Sequence, residues 1–193
     1  MLFFQSFSPP FREEPNICRL REELTAGSYR LSGYYHFTIH DPKLREIYAL
    51  HYRDRIVQHA LCDRILGPYF ENDLIYDNAA CRQRKGTLFA INRLNGFLRD
   101  HYRVYGQQGY VLKCDVRKFF DSIDHEILKH RLETVVDDKR TLSLLCHIID
   151  SYETLPGKGI PMGNQTSQWF ALFYLDPLDR LVKETLRIKY YTG

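Results

Sequence analysis

The chain has no cysteine pair at metal-binding spacing. Its five cysteines (Cys18, Cys62, Cys81, Cys114 and Cys146) are odd in number, far apart and free of any CxxC. That usage argues against a zinc site or a disulfide framework and fits a reducing, cytoplasmic setting. Long apolar runs are missing too: none approaches the ~18 residues of a membrane span, so no membrane partner is expected. The start, Met1-Leu2-Phe3-Phe4, has no basic segment and soon meets Glu13 and Glu14, which does not read as a secretory signal. Charge of one sign is scarce, with a net +3 over 193 residues, so total charge argues only weakly for a nucleic-acid partner. Internal repeats and low-complexity tracts are absent.

What is present describes a globular chain. Hydrophobic residues make up 44% and charged residues 26%, enough for about one domain or two small lobes sharing a core. Tyr 14 and Phe 12 are a heavy aromatic load, suited to core packing and to base stacking. The charge is unevenly spread. Between residues 82 and 103, Arg82, Arg84, Lys85, Arg93, Arg99 and Arg103 face one acid, Asp100. Such a cluster suits phosphate binding, and equally a solvated helical face.

Residues 1–15, with three prolines and several phenylalanines, read as an arm that packs on something else. Apolar spacing and stop signals place helices over 16–26, 54–66 (stopped by Gly67-Pro68), 87–102, 124–133 and 138–152. A strand is expected at 43–50. The helix at 87–102 carries Leu88, Ile91, Leu94 and Leu98 on one face. A long helix should start near Asn164, with Asn164 and Ser167 at its cap, and break or kink at Pro177, giving two segments, 165–175 and 177–187. Residues 188–192 lean toward β-structure.

The most informative stretch is Tyr110-Val111-Leu112-Lys113-Cys114-Asp115-Val116-Arg117-Lys118-Phe119-Phe120-Asp121. It reads as a buried strand, 110–115, delivering the Asp115 carboxylate at its end. Magnesium takes oxygen ligands and uses one or two carboxylates with substrate phosphates, so Asp115 suits Mg²⁺. An aspartate capping the next helix is the bland alternative. The Phe120 ring could stand beside a nucleotide sugar, and Phe119 suits the core better. Asp121, Asp124 and His125 crowd together, but Asp124 reads as a helix cap and not as part of an acid–base cluster.

Four blocks in order resemble a bacterial reverse transcriptase of the group II intron-encoded (maturase) type, with diversity-generating reverse transcriptases as close relatives. The first is Arg45-Glu46-Ile47-Tyr48-Ala49 with Arg53-Asp54-Arg55-Ile56-Val57-Gln58-His59-Ala60-Leu61. The second is Ala80-Cys81-Arg82-Gln83-Arg84-Lys85-Gly86-Thr87. The third is the Asp115 segment, and the fourth is Gly159-Ile160-Pro161-Met162-Gly163-Asn164-Gln165-Thr166-Ser167-Gln168.

The resemblance implies an α+β fold: right-hand polymerase fingers and a truncated palm, mostly helical with a small antiparallel sheet. It implies an N-terminal extension and fingers over 1–107 and palm over 108–193. Asp115 would be catalytic and hold Mg²⁺ together with the Val116 carbonyl. The Lys118-Phe119-Phe120 backbone would cradle the triphosphate, with Arg82 and Lys85 on its β- and γ-phosphates. Phe120 would exclude a ribose 2′-hydroxyl. Met162 would lie in the loop beneath the nucleotide, where many group II intron enzymes carry a Gln that can hydrogen-bond as Met162 cannot.

The same resemblance implies RNA-directed DNA polymerase activity, with RNA (intron or template), a DNA primer and dNTPs as partners. The alternative is an RNA-binding maturase module that grips intron RNA for splicing through Arg84, Arg93, Arg99 and Arg103. The family's aromatic-x-Asp-Asp hairpin and thumb would follow residue 193. This piece is therefore expected to be inactive alone, and its cut sheet edge could support a homodimer.

Overall fold

The structure, a computed structural model, describes residues 13–40 and 42–193. The arm expected over 1–15 lies outside the described residues, apart from the backbone of 13–15, which opens α1 (Glu13–Ala26). A β-hairpin follows, β1 (Tyr34–His40) and β2 (Leu44–Leu50), antiparallel with Tyr34 opposite Leu50 and His40 opposite Leu44. The remainder is helical: α2 (Tyr52–Leu61), α3 (Gly67–Asp73), α4 (Thr87–Tyr105), α5 (Phe119–Ser122), α6 (His125–Glu133), α7 (Lys139–Ile149) and α8 (Gln165–Arg180). The fold is thus mostly helical with a small two-stranded antiparallel sheet, as the sequence suggests.

The core forms where apolar residues recur every three or four positions and find a partner face. Val57 and Leu61 of α2, Phe70 of α3, Leu128 and Leu132 of α6, Leu145 and Ile149 of α7, and Phe170 and Phe173 of α8 make one buried cluster. It runs across the expected division at 107/108. Phe70 and Phe173 stack face to face at 4.2 Å. Each such side chain contributes about 1.5–3 kcal/mol by leaving water. Asp124 caps α6 as expected, accepting from the Glu126 and Ile127 N–H groups at 3.1 and 3.2 Å. Asp54, fully buried, accepts from the Tyr29 hydroxyl at 2.7 Å and the Ser32 N–H at 2.9 Å, tying the hairpin's approach to α2.

Two prolines do not end their helices. Gly67-Pro68 does not stop the helix begun at Tyr52; a π-helical turn over Cys62–Leu66 carries it into α3. There the Gly67 N–H reaches back to the Cys62 carbonyl. A Cβ on Gly67 would lie 2.8 Å from that oxygen, so the close approach needs glycine. The shifted ladder leaves Pro68, which has no N–H, in the first turn of α3, where a donor is not required.

Pro177 likewise sits inside α8, which continues to Arg180 and a second π-helical turn over Leu181–Thr185. A proline cannot donate to the carbonyl four residues back, here Phe173. Arg131 of α6 supplies the missing donor: its Nη1 reaches the Phe173 carbonyl and, at 3.0 Å, that of Tyr174. The two segments expected around Pro177 are therefore one helix.

The strand expected at 110–115 does not form. Residues 108–116 are irregular, and Tyr110, Val111 and Leu112 are almost wholly exposed. β-propensity needs a neighbouring strand to become a sheet, and among the described residues none pairs here. Residues 188–192 also form no strand. The apolar face of α4 is exposed at Leu88, Ile91, Leu94 and Leu98, and that helix buries none of its residues. Among the described residues no helix is long and apolar enough to cross a membrane.

Candidate active site

The loop 157–164 is built by short-range hydrogen bonds around glycine. His125 donates its N–H to the Gly157 carbonyl at 2.9 Å, and its buried ring Nε2 lies 2.7 Å from the Gly159 carbonyl. Gly159 has φ +103, and a Cβ there would overlap the Thr154 hydroxyl and stand 3.0 Å from the Thr154 nitrogen. The Gly159 N–H donates to the Ile123 carbonyl at 2.8 Å and the Ile160 N–H to the Phe120 carbonyl at 2.9 Å. On its other side the loop holds the hairpin. The Tyr48 N–H donates to the Met162 carbonyl at 3.4 Å, and the Asn164 amide donates to the Tyr48 carbonyl at 3.1 Å. Asn164 thus braces β2 without capping α8 through its side chain, and Ser167 is buried within the helix.

Phe119 and Phe120 open α5 after Lys118, whose φ is +51. They are half-buried, edge to face at 6.0 Å, and both pack on the core, whereas on a regular strand they would point to opposite faces. The structure therefore brings together Phe120, the Met162 loop and Tyr48, from three separate sequence blocks. Met162 remains 40% exposed.

Asp115, Val116 and Lys118 are exposed. The Asp115 carboxylate and the Val116 carbonyl are oxygen donors of the kind magnesium takes. Among the described residues, however, no three His, Cys, Asp or Glu side chains come together as a metal site. One carboxylate is a poor cage for two divalent ions, so the described residues do not complete a magnesium centre.

The basic cluster divides in two. Arg82 is inside: its side chain is 6% exposed, with Nε and Nη2 on Glu71 at 2.9 and 2.8 Å and Nη1 on the Ile75 carbonyl at 2.7 Å. Arg93 of α4 binds the buried Asp77 at 2.5 Å. Lys85 donates to the Tyr76 carbonyl at 2.6 Å and lies over the Tyr76 and Phe89 rings. Burial holds its ammonium below the ordinary lysine range, and Arg82 pushes the same way. Arg84, with φ +61, Arg99 and Arg103 face solvent, Arg103 near Asp100 at 3.7 Å.

Sequence reading passed over an aromatic group on the hairpin. His36 stacks on Tyr48 at 4.7 Å, Tyr48 meets Tyr152 at 4.8 Å, and the Tyr34 hydroxyl lies 2.6 Å from the Ser151 hydroxyl. Burial, then the neighbouring Tyr48 hydroxyl, raise the Tyr152 phenol above its usual value. The alternating aromatic run Tyr35-His36-Phe37 was the available signal for β1.

No protein-family model matches the chain. It is 25% identical over 173 residues to Protein YkfC of Escherichia coli (strain K12), covering 86% of this chain and 45% of that protein. It is 24% identical over 149 residues to the Putative COX1/OXI3 intron 2 protein of Saccharomyces cerevisiae (strain ATCC 204508 / S288c), covering 73% of this chain and 16% of that one. The chain therefore spans less than half the length of either relative. Among solved structures, a chain of the Cas6-RT-Cas1--Cas2 complex shares its fold, with a TM-score of 0.52 and 20% identity over 91% of this chain and 19% of that one. A chain of a partial Cas6-RT-Cas1--Cas2 complex, at the same TM-score and identity, is covered to 31%.

Proposed function

We propose that the chain is the fingers and part of the palm of a group II intron-encoded reverse transcriptase, an RNA-directed DNA polymerase. One observation carries this reading: the Met162–Asn164 loop is bonded both to β2, 116 residues away in sequence, and through Ile160 to Phe120. Blocks that resemble polymerase motifs one by one thus converge in space. The shared fold with an RT-bearing complex and the similarity to an intron protein support the same assignment.

In this reading Asp115 and the Val116 carbonyl contribute to a Mg²⁺ site that residues of a longer polypeptide complete. Phe120 stands against the deoxyribose of a dNTP. Lys85 and the Lys118–Phe120 backbone serve the triphosphate. Arg82, held by Glu71 and by the Ile75 and Asn78 carbonyls, positions the loop that carries Lys85. Primer extension by the longer polypeptide on an RNA template tests the proposal: activity lost in Asp115→Ala is the expected result. An inert wild type, or an active Asp115→Ala, overturns it.

A maturase role is the second reading, favoured by the solvent-facing Arg84, Arg99 and Arg103 and by the intron protein's similarity. Filter binding should then show tighter, salt-sensitive binding to the host intron than to unrelated structured RNA. Equal affinity removes it.

A further inference from the structure

A groove of about 480 Å³ lies between α1 and α7, and it shares no lining residue with the Asp115 segment or the Met162 loop. Its apolar wall is aliphatic: Leu24 of α1, Leu61 of α2, Ile65 of the first π-helical turn and Leu144 of α7. Arg30, Lys139 and Arg140 add three cations, and no carboxylate lines it. Among the described residues none of these cations forms a salt bridge. Asp137 and Asp138 precede two of them but stay off the wall. Asp138 instead caps α7, accepting from the Thr141 N–H at 2.8 Å.

Along α7 these groups come in a fixed order. Arg140, Leu144 and His147 recur at i, i+4 and i+7, so they share one face of the helix. At 1.5 Å per residue they span roughly 10 Å. His147 lines the groove and makes no hydrogen bond, and its Nε2 is buried without a partner. Buried polar groups are ordinarily paired, because an unpaired one has given up its hydration for nothing. No hydrogen bond resists a turn of the ring about its Cβ–Cγ bond, which would offer a nitrogen to the groove.

Cation, aliphatic surface and unpaired imidazole together select the occupant. A nucleic acid would meet the cations, but its bases need exposed rings on which to stack. The one phenol ring on the wall, Tyr29, is 3% exposed, with its hydroxyl on Asp54 and the Arg53 guanidinium over its face at 5.3 Å. A free aliphatic acid would satisfy the cations and the leucines but leave the imidazole unpaired at the far end. A peptide satisfies all three. Its backbone carries an acceptor at every residue, and roughly 10 Å is about three extended residues.

We propose that this groove docks a short acidic–aliphatic segment of a protein partner. An acidic side chain of that segment lies on Lys139 and Arg140, with Arg30 adding to the positive field. A leucine-like side chain packs against Leu61 and Leu144, and a backbone carbonyl accepts from the His147 ring. The α1–α7 face is thereby an interaction surface separate from the candidate nucleotide site, and the inference stands whether or not the polymerase reading holds.

An NMR titration of the ¹⁵N-labelled 193-residue chain tests it, with end-blocked peptides of two glutamates and two leucines in both orders. At least one order should move the amide signals of Leu144 and His147. His147→Leu should weaken that binding about tenfold, the worth of roughly one net hydrogen bond. The same variant should raise the urea midpoint of the free protein, since it removes an unpaired buried nitrogen, whereas a purely structural His147 predicts a lower one. Arg140→Gln, at an exposed cation, should weaken binding about threefold. Peptides with lysine for glutamate or alanine for leucine, and oligouridylate, should leave the two signals in place. No shift with either acidic peptide, equal shifts from the lysine or alanine peptides, stronger shifts from oligouridylate, or unchanged binding in His147→Leu overturns the proposal. The wild-type titrations carry the test even if His147→Leu fails to fold.

Discussion

α2 and α4 carry the same kind of apolar spacing and meet opposite fates. Val57 and Leu61 of α2 are 3% and 6% exposed, whereas Leu88 and Ile91 of α4 are 72% and 49% exposed. The first helix lies against α8 within the core. The second is held by polar and ring contacts at one flank: Arg93 on Asp77, Phe89 against Tyr76 at 5.6 Å, and Phe97 against Tyr190 at 5.6 Å. An amphipathic pattern creates a face that can be buried, but burial needs a surface that fits it. One region is therefore stabilised by the removal of apolar area from water, the other by directional contacts that acid and salt can weaken.

The largest break in that comparison should come from the core. Leu128→Ala, at a fully buried position, should cost about 3 kcal/mol, while Leu94→Ala on α4 should change stability by less than about 0.5 kcal/mol. Urea unfolding of the two variants measures the contrast, and similar losses would mean that α4 is packed after all.

Arg131→Met comes next. It should cost about 2 kcal/mol by leaving the Phe173 and Tyr174 carbonyls without their guanidinium donor. Pro177→Ala restores a backbone N–H to the Phe173 carbonyl, so the double variant should recover about 1 kcal/mol. A strictly additive cycle would show that Arg131 does not stand in for the missing proline donor. Gly159→Ala, at φ +103 and against Thr154, should cost about 1–2 kcal/mol and loosen the Met162 loop, visible as faster amide exchange at Ile160.

The anchor of α4 should be sensitive to acid. Burial raises the Asp77 carboxyl, but hydrogen bonds from Arg93 and Lys183 outweigh it, and the net shift is below the ordinary 3.8. A carboxyl lowered by folding stabilises the fold above its unfolded value and loses that contribution as pH falls through its folded value. Proteolytic cutting within α4 should therefore rise below about pH 4 in the wild type, and vary less with pH in Asp77→Asn. A flat wild-type profile would remove the ion pairs as the anchor. Smallest of all, Asp115→Ala should shift stability by less than about 0.5 kcal/mol, because that carboxylate is exposed. A marked loss in thermal unfolding would assign Asp115 a structural role.

Much of the helical layout was readable from spacing and stop signals. α1, α4, α6 and α7 lie near their expected positions, Asp124 caps α6, and β2 matches the strand at 43–50. β1 went unread although Tyr35, Phe37 and Ile39 alternate with polar residues, because its face is not buried and gave no core pattern. The stop at Gly67-Pro68 and the division into two segments at Pro177 failed for one reason. Each proline's effect depends on how the neighbouring carbonyls are satisfied, through a π-helical turn in one case and Arg131 in the other.

The candidate site was legible as residue types in order. Which cations remain available was not legible. Arg82 and Arg84 are two residues apart, yet Glu71 holds the first and the second faces solvent. The groove that ends at His147 could not have been read either, since α1 and α7, which form its walls, are far apart in sequence.

Composition and local pattern were sufficient to define a mostly helical set of described elements and an order of polymerase-like blocks, because propensity, capping and periodicity act over a few residues. Which apolar faces are covered, which prolines are tolerated and which charges stay open was decided by the assembled molecule. Those outcomes depend on partners distant in sequence, and packing and hydrogen-bond satisfaction exist only once the partners meet.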